Sequence, residues 1–418
     1  MKYGHIVENL KEYDGFEVPE SAIVDEVLVS YFKEPMSYTT ENMCEINTHG
    51  GNIVVKKILE LCLKNGAEMA EPGEFTKRAF LNGRIDLLQA ESVIDIIDAK
   101  SERELKAGMN QLEGRVSKEI HDIKQKIMDV MVNVEVDIDY PEYDVEEVTN
   151  TEINEMLDVV IADLSRLEKS FDNGKILKDG VKTAIIGKPN AGKSSLLNCI
   201  LNEERAIVTE IEGTTRDTIE EFVTVEGVPL KLIDTAGIRE AKDEVEKIGI
   251  TKSKEIAKDA DLIIAIFDSS KDLTDEDKEI LDIIKNKTAI VVLNKMDLLN
   301  KIDENMAEIK NVSKYIVKMS TLEQKGIDDL YKSIGNLFSM EEISLDNTIV
   351  ITNIRHKNLI SKALNSCREA KKSMELGMPL DIIAIFLKEI LENLGEITGE
   401  TVTDDIIDEI FSKFCLGK

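Results

Sequence analysis

With 418 residues the chain exceeds what one hydrophobic core usually organises, so two or three domains are expected. Apolar residues make up 42% and charged residues 32%, no apolar run approaches the roughly 20 residues of a membrane span, and no targeting signal opens the chain. A soluble, cytoplasmic protein with no membrane partner is the expectation. The formal charge of -30 repels phosphate at long range, so a nucleic-acid partner would need a local basic patch.

The segment 1–83 mixes short apolar runs such as Ile23 to Tyr31 with a Gly50-Gly51 pair and a helix-like stretch, Ile53 to Lys64, which predicts an α+β domain. Over 84–179 apolar residues recur at three and four residue spacing (Leu87, Leu88, Val93, Ile94, Ile97, then Ile120, Ile123, Ile127, Val130, Met131, Val134). Long amphipathic helices follow from about Asp86 to Val136. An acidic, proline-containing break at Asp139 to Glu147 precedes another helical stretch, Ile153 to Phe171.

From 180 to 342 the period changes. Apolar runs at Thr183 to Ile186, Leu230 to Ile233, Leu262 to Phe267 and Ala289 to Leu293 alternate with helical patterns, as in a mostly parallel α/β sheet. Phe222 to Val225 and Leu230 to Ile233 flank Glu226 to Pro229 and suggest one antiparallel edge pair. Helical spacing returns over 343–418. The simplest topology inserts the α/β domain into a helical domain.

Five cysteines, Cys44, Cys62, Cys199, Cys367 and Cys415, are odd in number and never form C-x-x-C, which argues against disulfides and a zinc ribbon. The four histidines are equally scattered, so any metal should arrive with a phosphate ligand.

Gly187-Lys188-Pro189-Asn190-Ala191-Gly192-Lys193-Ser194 fits G-x-x-x-x-G-K-[ST] between a predicted strand and a predicted helix, with Ser195 next in line. Backbone N–H groups can curl around a β-phosphate at the helix N-terminus, Lys193 can reach the β and γ oxygens, and Ser194 can hold Mg²⁺. Asp234-Thr235-Ala236-Gly237 closes the next parallel strand, where the carboxylate can meet Mg²⁺ and the Gly237 N–H the γ-phosphate. Asn294-Lys295-Met296-Asp297 closes another strand, and a carboxylate there can accept from guanine N1–H and its 2-amino group. Adenine offers an acceptor at N1 and no such amino group, so Asp297 selects GTP. Lys295 would cover the ring, and Ser320 with Thr321 would complete the base pocket.

Between these motifs, Thr209, Glu210, Ile211, Glu212, Gly213, Thr214 and Thr215 form the segment where a switch loop should supply a second Mg²⁺ hydroxyl, assigned to Thr215. Ile238 stands where Ras-like enzymes carry the water-orienting glutamine. Glu246 is a substitute candidate, and by spacing alone it is equally well a solvated helix charge.

The three nucleotide motifs, with Pro189-Asn190-Ala191 inside the loop, resemble the Era-like GTPases of the TRAFAC group. The block Gly73-Glu74-Phe75-Thr76-Lys77-Arg78-Ala79-Phe80-Leu81-Asn82-Gly83-Arg84, the Asp234 to Gly249 stretch and the terminal Phe414-Cys415-Leu416-Gly417-Lys418 resemble, more closely, the MnmE (TrmE) family of tRNA modification GTPases. The similarity runs along essentially the whole chain.

That resemblance implies a dimerising N-terminal domain that binds 5-formyl- or methylene-tetrahydrofolate, an interrupted helical domain and an inserted G domain. It implies a homodimer acting on tRNA with a flavin-dependent (FAD) partner of the MnmG type in a heterotetramer, adding a (carboxymethyl)aminomethyl-type group to C5 of the wobble uridine. It implies K⁺ near the phosphates in place of an arginine finger, held by Asn190, Thr209, Ile211 and Thr214, and Mg²⁺ held by Ser194 and Thr215. Glu246 matches the family's water-positioning glutamate, and Glu45, Arg84 and Lys418 match folate contacts. Cys415 is either packing or chemically active in the tail that reaches the cofactor pocket.

Two departures stand out. Relative to the family, Met1-Lys2-Tyr3-Gly4-His5 begins inside the first domain, so a segment that contributes strands and an arginine to the folate site is expected to be missing. The usual Ser-Ala of the last guanine motif is Ser320-Thr321. The competing functional class is an Era-like ribosome-assembly or signalling switch without folate chemistry; the acidic, helical C-terminal part with Cys415 near its end favours the modification enzyme.

Overall fold

A computed structural model describes residues 1–8, 19–139, 146–201, 221–233, 249–302, 307–338 and 349–415. They belong to two compact units, one of Met1–Ile94, Gln111–His121 and Leu391–Lys418, the other of Asp95–Asn110 and Asp122–Ile390.

In the first unit β1 (Lys2–Val7), β2 (Ile23–Phe32) and β3 (Met43–Asn47) form an antiparallel sheet in that order. Helices α1 (Asn52–Lys64), α2 (Glu74–Leu81) and α3 (Leu87–Ile97) follow. The chain's last helix, α14 (Asp404–Ser412), brings Ile407, Phe411 and Phe414 into one core with Leu87 and Ala90. Gly73 is at φ 68°, and a Cβ there would lie 2.9 Å from Phe414 Cβ, so this turn needs glycine for both backbone and space.

The stretch Asp86 to Val136, where long amphipathic helices were expected, forms three: α3, α4 (Glu102–Leu112) and α5 (Arg115–Asp139). The physical reason is local. Ser101 Oγ accepts the Glu104 N–H (3.1 Å) and the Glu104 carboxylate accepts the Lys100 N–H (2.6 Å), which caps α4 at its start. Gly114 at φ 78° then ends it. Helix α6 (Glu146–Asp179) packs along α12 (Ile354–Glu375), and α13 (Leu380–Thr398) follows. The spacing that predicted these helices is the spacing that buries them: Ile120, Ile123, Ile127, Val134, Leu157 and Leu164 are all at most 1% exposed.

The second unit also contains a six-stranded sheet of β4 (Val181–Gly187), β5 (Glu221–Val225), β6 (Val228–Leu232), β7 (Leu262–Asp268), β8 (Ala289–Asn294) and β9 (Tyr315–Lys318), ordered β5-β6-β4-β7-β8-β9. Only β5 runs antiparallel, at the edge, as its sequence suggested. Every residue of β7 and β8 is buried, because helices cover both faces. Alternate strand residues divide between them: Ile264, Ile266 and Val292 meet α7 (Lys193–Leu201) and α11 (Ile327–Leu337). Ile263, Ala265 and Val291 meet α8 (Gly249–Asp259) and α9 (Asp275–Ile284), and a short α10 (Ala307–Lys310) precedes β9. Strand order reverses at β4, and in such sheets ligands sit beyond the carboxyl ends of the strands near the reversal.

Candidate functional site

The Gly187 to Ser194 loop leaves β4 and opens α7, as its motif requires. Its two glycines have steric causes. A Cβ at Gly187 would lie 2.5 Å from the Ile266 carbonyl oxygen, and one at Gly192, where φ is 110°, would lie 2.1 Å from Asn294 Nδ2. Asn190 between them holds φ 60° without being glycine. Lys193 Nζ donates to the carbonyls of Gly187 and Lys188, both at 2.8 Å, and burial holds its ammonium below the usual lysine range. Those bonds keep the ammonium folded onto the arch that phosphates would occupy. Ser194 and Ser195 are exposed in the first turn of α7, whose leading N–H groups lack partners within the helix.

Asn294, fully buried, joins this loop to the base pocket. Its Nδ2 donates to the Ala191 carbonyl (2.9 Å) and to Thr321 Oγ1 (3.2 Å), while its Oδ1 accepts the Thr321 N–H (3.0 Å). Both ends of the amide are therefore committed, and the phosphate loop, the β8 end and the β9 end become one framework. The Ser320 hydroxyl donates to Asp297 Oδ1 at 2.5 Å. A carboxylate has further lone pairs, so this bond orients Asp297 and leaves capacity for guanine N1–H and the 2-amino group. Thr321 in place of alanine supplies the hydroxyl that Asn294 reaches, so this departure adds a bond within the framework.

Lys295 sits at φ 64° with Nζ 2.7 Å from Asp268 Oδ2. Burial alone would raise the Asp268 carboxyl, but the Lys295 ammonium and the Ser270 hydroxyl and N–H outweigh it and hold it below the usual carboxylate range. Asp268, Lys188 and Asp277 were missed in the sequence. A strand-end aspartate flags the first, and the Thr274-x-x-Asp277 capping pattern flags the last.

Thr209, Glu210, Ile211, Glu212, Gly213, Thr214, Thr215, Asp234, Thr235, Ala236, Gly237, Glu246 and Lys418 lie outside the described residues. In the first unit, Arg84 lies over the Tyr38 ring (4.7 Å to its centre) and donates to the Tyr38 carbonyl (3.1 Å). Glu45 is on β3 opposite Ser30, and the Cys415 carbonyl accepts the Gly73 N–H (3.3 Å). No ion pair joins Glu45 to Arg84 among the described residues. Cys415 is exposed, whereas burial pushes the Cys367 thiol up to about 12 and makes it a packing group.

A doubly covered, mostly parallel sheet with a phosphate loop after β4 and an Asn294-x-x-Asp297 turn after β8, tied through one asparagine, has the build of a P-loop GTP-binding protein. The profile described as "GTP-binding protein TrmE N-terminus" matches residues 1–84, and that described as "MnmE helical domain" matches 87–415. The tRNA modification GTPase MnmE of Clostridioides difficile (strain 630) is 50% identical over 418 residues, which is 100% of this chain and 88% of that protein. The corresponding protein of Thermoanaerobacter pseudethanolicus is 51% identical over 421 residues, covering 100% and 89%. Among solved structures, the G domain of the T. maritima FeoB iron transporter aligns with 38% of this chain and 98% of its own at 22% identity, with a TM-score of 0.25, too low to bear on the fold. The chain belongs to the MnmE family of tRNA modification GTPases.

Proposed function

We propose that this chain hydrolyses GTP at the Gly187 to Thr321 site and that hydrolysis drives modification of C5 of the wobble uridine of certain tRNAs to a (carboxymethyl)aminomethyl-type group, together with a flavin-dependent partner. The observation that carries the nucleotide part is Asn294, whose amide locks the phosphate loop to a base pocket already holding Asp297 in hydrogen-bonding order. Family membership supports the tRNA part.

Mg²⁺ would take the Ser194 hydroxyl, and the exposed first turn of α7 beside Lys193 suits an ion that arrives on a phosphate. Thr215 would supply its second hydroxyl. K⁺ would take the Asn190 side chain, exposed on the arch, with Thr209, Ile211 and Thr214; the ion would supply positive charge where charge develops on the γ-phosphate. Lys193 would exchange its two carbonyl acceptors for phosphate oxygens, Asp234 would meet the Mg²⁺ shell, and Glu246 would orient the attacking water. Glu45, Arg84 and Lys418 would contact a tetrahydrofolate, with Cys415 near it on the docked tail. A homodimer is supported by α1, which buries only Ile58 and leaves Ile53, Val55 and Leu59 exposed.

The test is genetic and chemical. Digested tRNA from a strain lacking the gene should have lost the wobble-uridine modification. Intact modification, with no second enzyme supplying it, would contradict the proposal and favour the ribosome-assembly or signalling reading.

A further inference from the structure

The phosphate arch is held by residues of the nucleotide motifs and also by a contact from outside them. Asn294 holds it at Ala191. At its start, Lys188 Nζ lies 2.6 Å from Asp277 Oδ2 and 2.9 Å from Thr274 Oγ1, with side chains 17% exposed for the lysine and 5% for the aspartate. The same Asp277 oxygen accepts the Thr274 hydroxyl (3.0 Å) and the Thr274 N–H (2.8 Å), the N–H bond being one half of the capping box that starts α9. Meanwhile the Lys188 carbonyl accepts from Lys193 Nζ (2.8 Å) and the Ala191 N–H (3.3 Å).

One residue thus joins the arch, through its main chain, to a helix cap, through its side chain. A solvated ion pair contributes little, since its charges are well served by water. This one is largely buried, so removing the lysine leaves the buried Asp277 carboxylate with the two Thr274 donors and without its counter-ion. The arch itself contains Asn190 at φ 60°, a conformation that costs a non-glycine residue about 1 kcal/mol and persists only where neighbours hold it.

We infer that Lys188 and Asp277 are a positioning pair for the phosphate loop, fixing the arch to the N-terminus of α9 so that its N–H groups and Lys193 are set for the β-phosphate. Neither side chain touches the nucleotide in this role. The inference rests on Gly187 to Ser194 being the phosphate site. The base pocket is built from other residues, so the effect falls on phosphate binding and leaves base choice alone.

The full chain tests this through Lys188→Met, Lys188→Arg, Asp277→Asn and the double variant Lys188→Met with Asp277→Asn, with Lys193→Ala as control. Each is measured for GDP and IDP affinity, GTP turnover and the unfolding temperature of nucleotide-free protein. Lys188→Met should weaken GDP and IDP by the same factor, about 10-fold, and raise KM alike with kcat within about twofold, because the arch serves ground and transition states equally. Lys188→Arg should restore most of the affinity. The double variant should lose no more than the worse single variant, since the two act as one unit.

Unchanged GDP affinity in Lys188→Met, a changed GDP to IDP ratio, or losses that multiply in the double variant would overturn the inference. So would a fall in affinity explained entirely by a fall in unfolding temperature. Lys193→Ala separates the two levels: if it binds GDP as tightly as the unmodified chain, the phosphate assignment itself fails.

Discussion

Two regions of the same sheet are held together by different physics. At the carboxyl ends of β4, β8 and β9, residues far apart in sequence are locked by hydrogen bonds between loops, with Asn294 at the centre. At the opposite edge, the β5–β6 hairpin turns through Glu226 at φ 48° and Gly227 at φ 74°, a two-residue turn of the kind that matches strand twist. It is gripped by cations from the start of α4 and the residues just before it: Lys100 Nζ stands 3.8 Å from the centre of the Phe222 ring, and a Cβ at Gly227 would lie 2.7 Å from Arg103 Nε. The hairpin joins in sequence the two segments that hold Thr215 and Glu246. The comparison teaches a division of labour: the residues proposed to bind nucleotide sit at hydrogen-bonded strand ends, and those proposed to act in hydrolysis flank, in sequence, a hairpin held from the start of α4.

The largest expected effect lies in the first region. Gly192→Ala places a Cβ where Asn294 Nδ2 now sits and strains the backbone, so GDP affinity should fall at least about 100-fold by calorimetry. Near-normal affinity would show that the Asn294 link is dispensable. Next, Glu246→Ala should bind GDP and GTP within about twofold of normal while kcat falls about 100-fold. Loss of both together would break the division between the regions. Replacing K⁺ by Na⁺ should slow turnover about 10-fold and leave GDP affinity alone; equal rates in the two salts would remove Asn190 and the Thr209 to Thr214 segment from the ion site.

The smallest effect concerns the α4 grip. Burial pushes the Glu104 carboxyl up to about 7, with Asp95 adding to the rise and the Lys100 N–H opposing it. Between its unfolded value near 4.5 and about 7 the folded chain holds the proton that the unfolded chain has released, so stability falls as pH rises through that window. Glu104→Gln should therefore be more stable than the unmodified chain at pH 8 by roughly 1 to 2 kcal/mol, with the difference vanishing toward about pH 4. Urea unfolding at the two pH values measures it, and nucleotide affinity should not move.

The sheet was legible because each strand announces itself. Leu262 to Phe267 and Ala289 to Leu293 are short, unbroken, β-branched-rich apolar runs, as a strand covered on both faces calls for. The site was legible where chemistry demands fixed spacing, as from Gly187 to Ser194 and from Asn294 to Asp297. What escaped were pairings made only in three dimensions. Lys188 and Asp277 are 89 residues apart, and nothing in either neighbourhood names the other. Lys100 reads as a solvated charge until Phe222 is beneath it. Apolar spacing predicted helices from Asp86 to Val136 without their boundaries around α4, which are set by the side-chain bonds of Ser101 and Glu104 at its start and by Gly114 at φ 78° after it.

The central claim is that one framework around Asn294 presents Asp297 to guanine. Asp297→Asn tests it most directly, because an amide can donate to the C2 carbonyl of xanthine where the carboxylate could only accept from guanine. Competition binding should show GDP weakened by about 100-fold or more and XDP bound in its place. Unchanged GDP affinity, or equal loss of both nucleotides, would contradict the account.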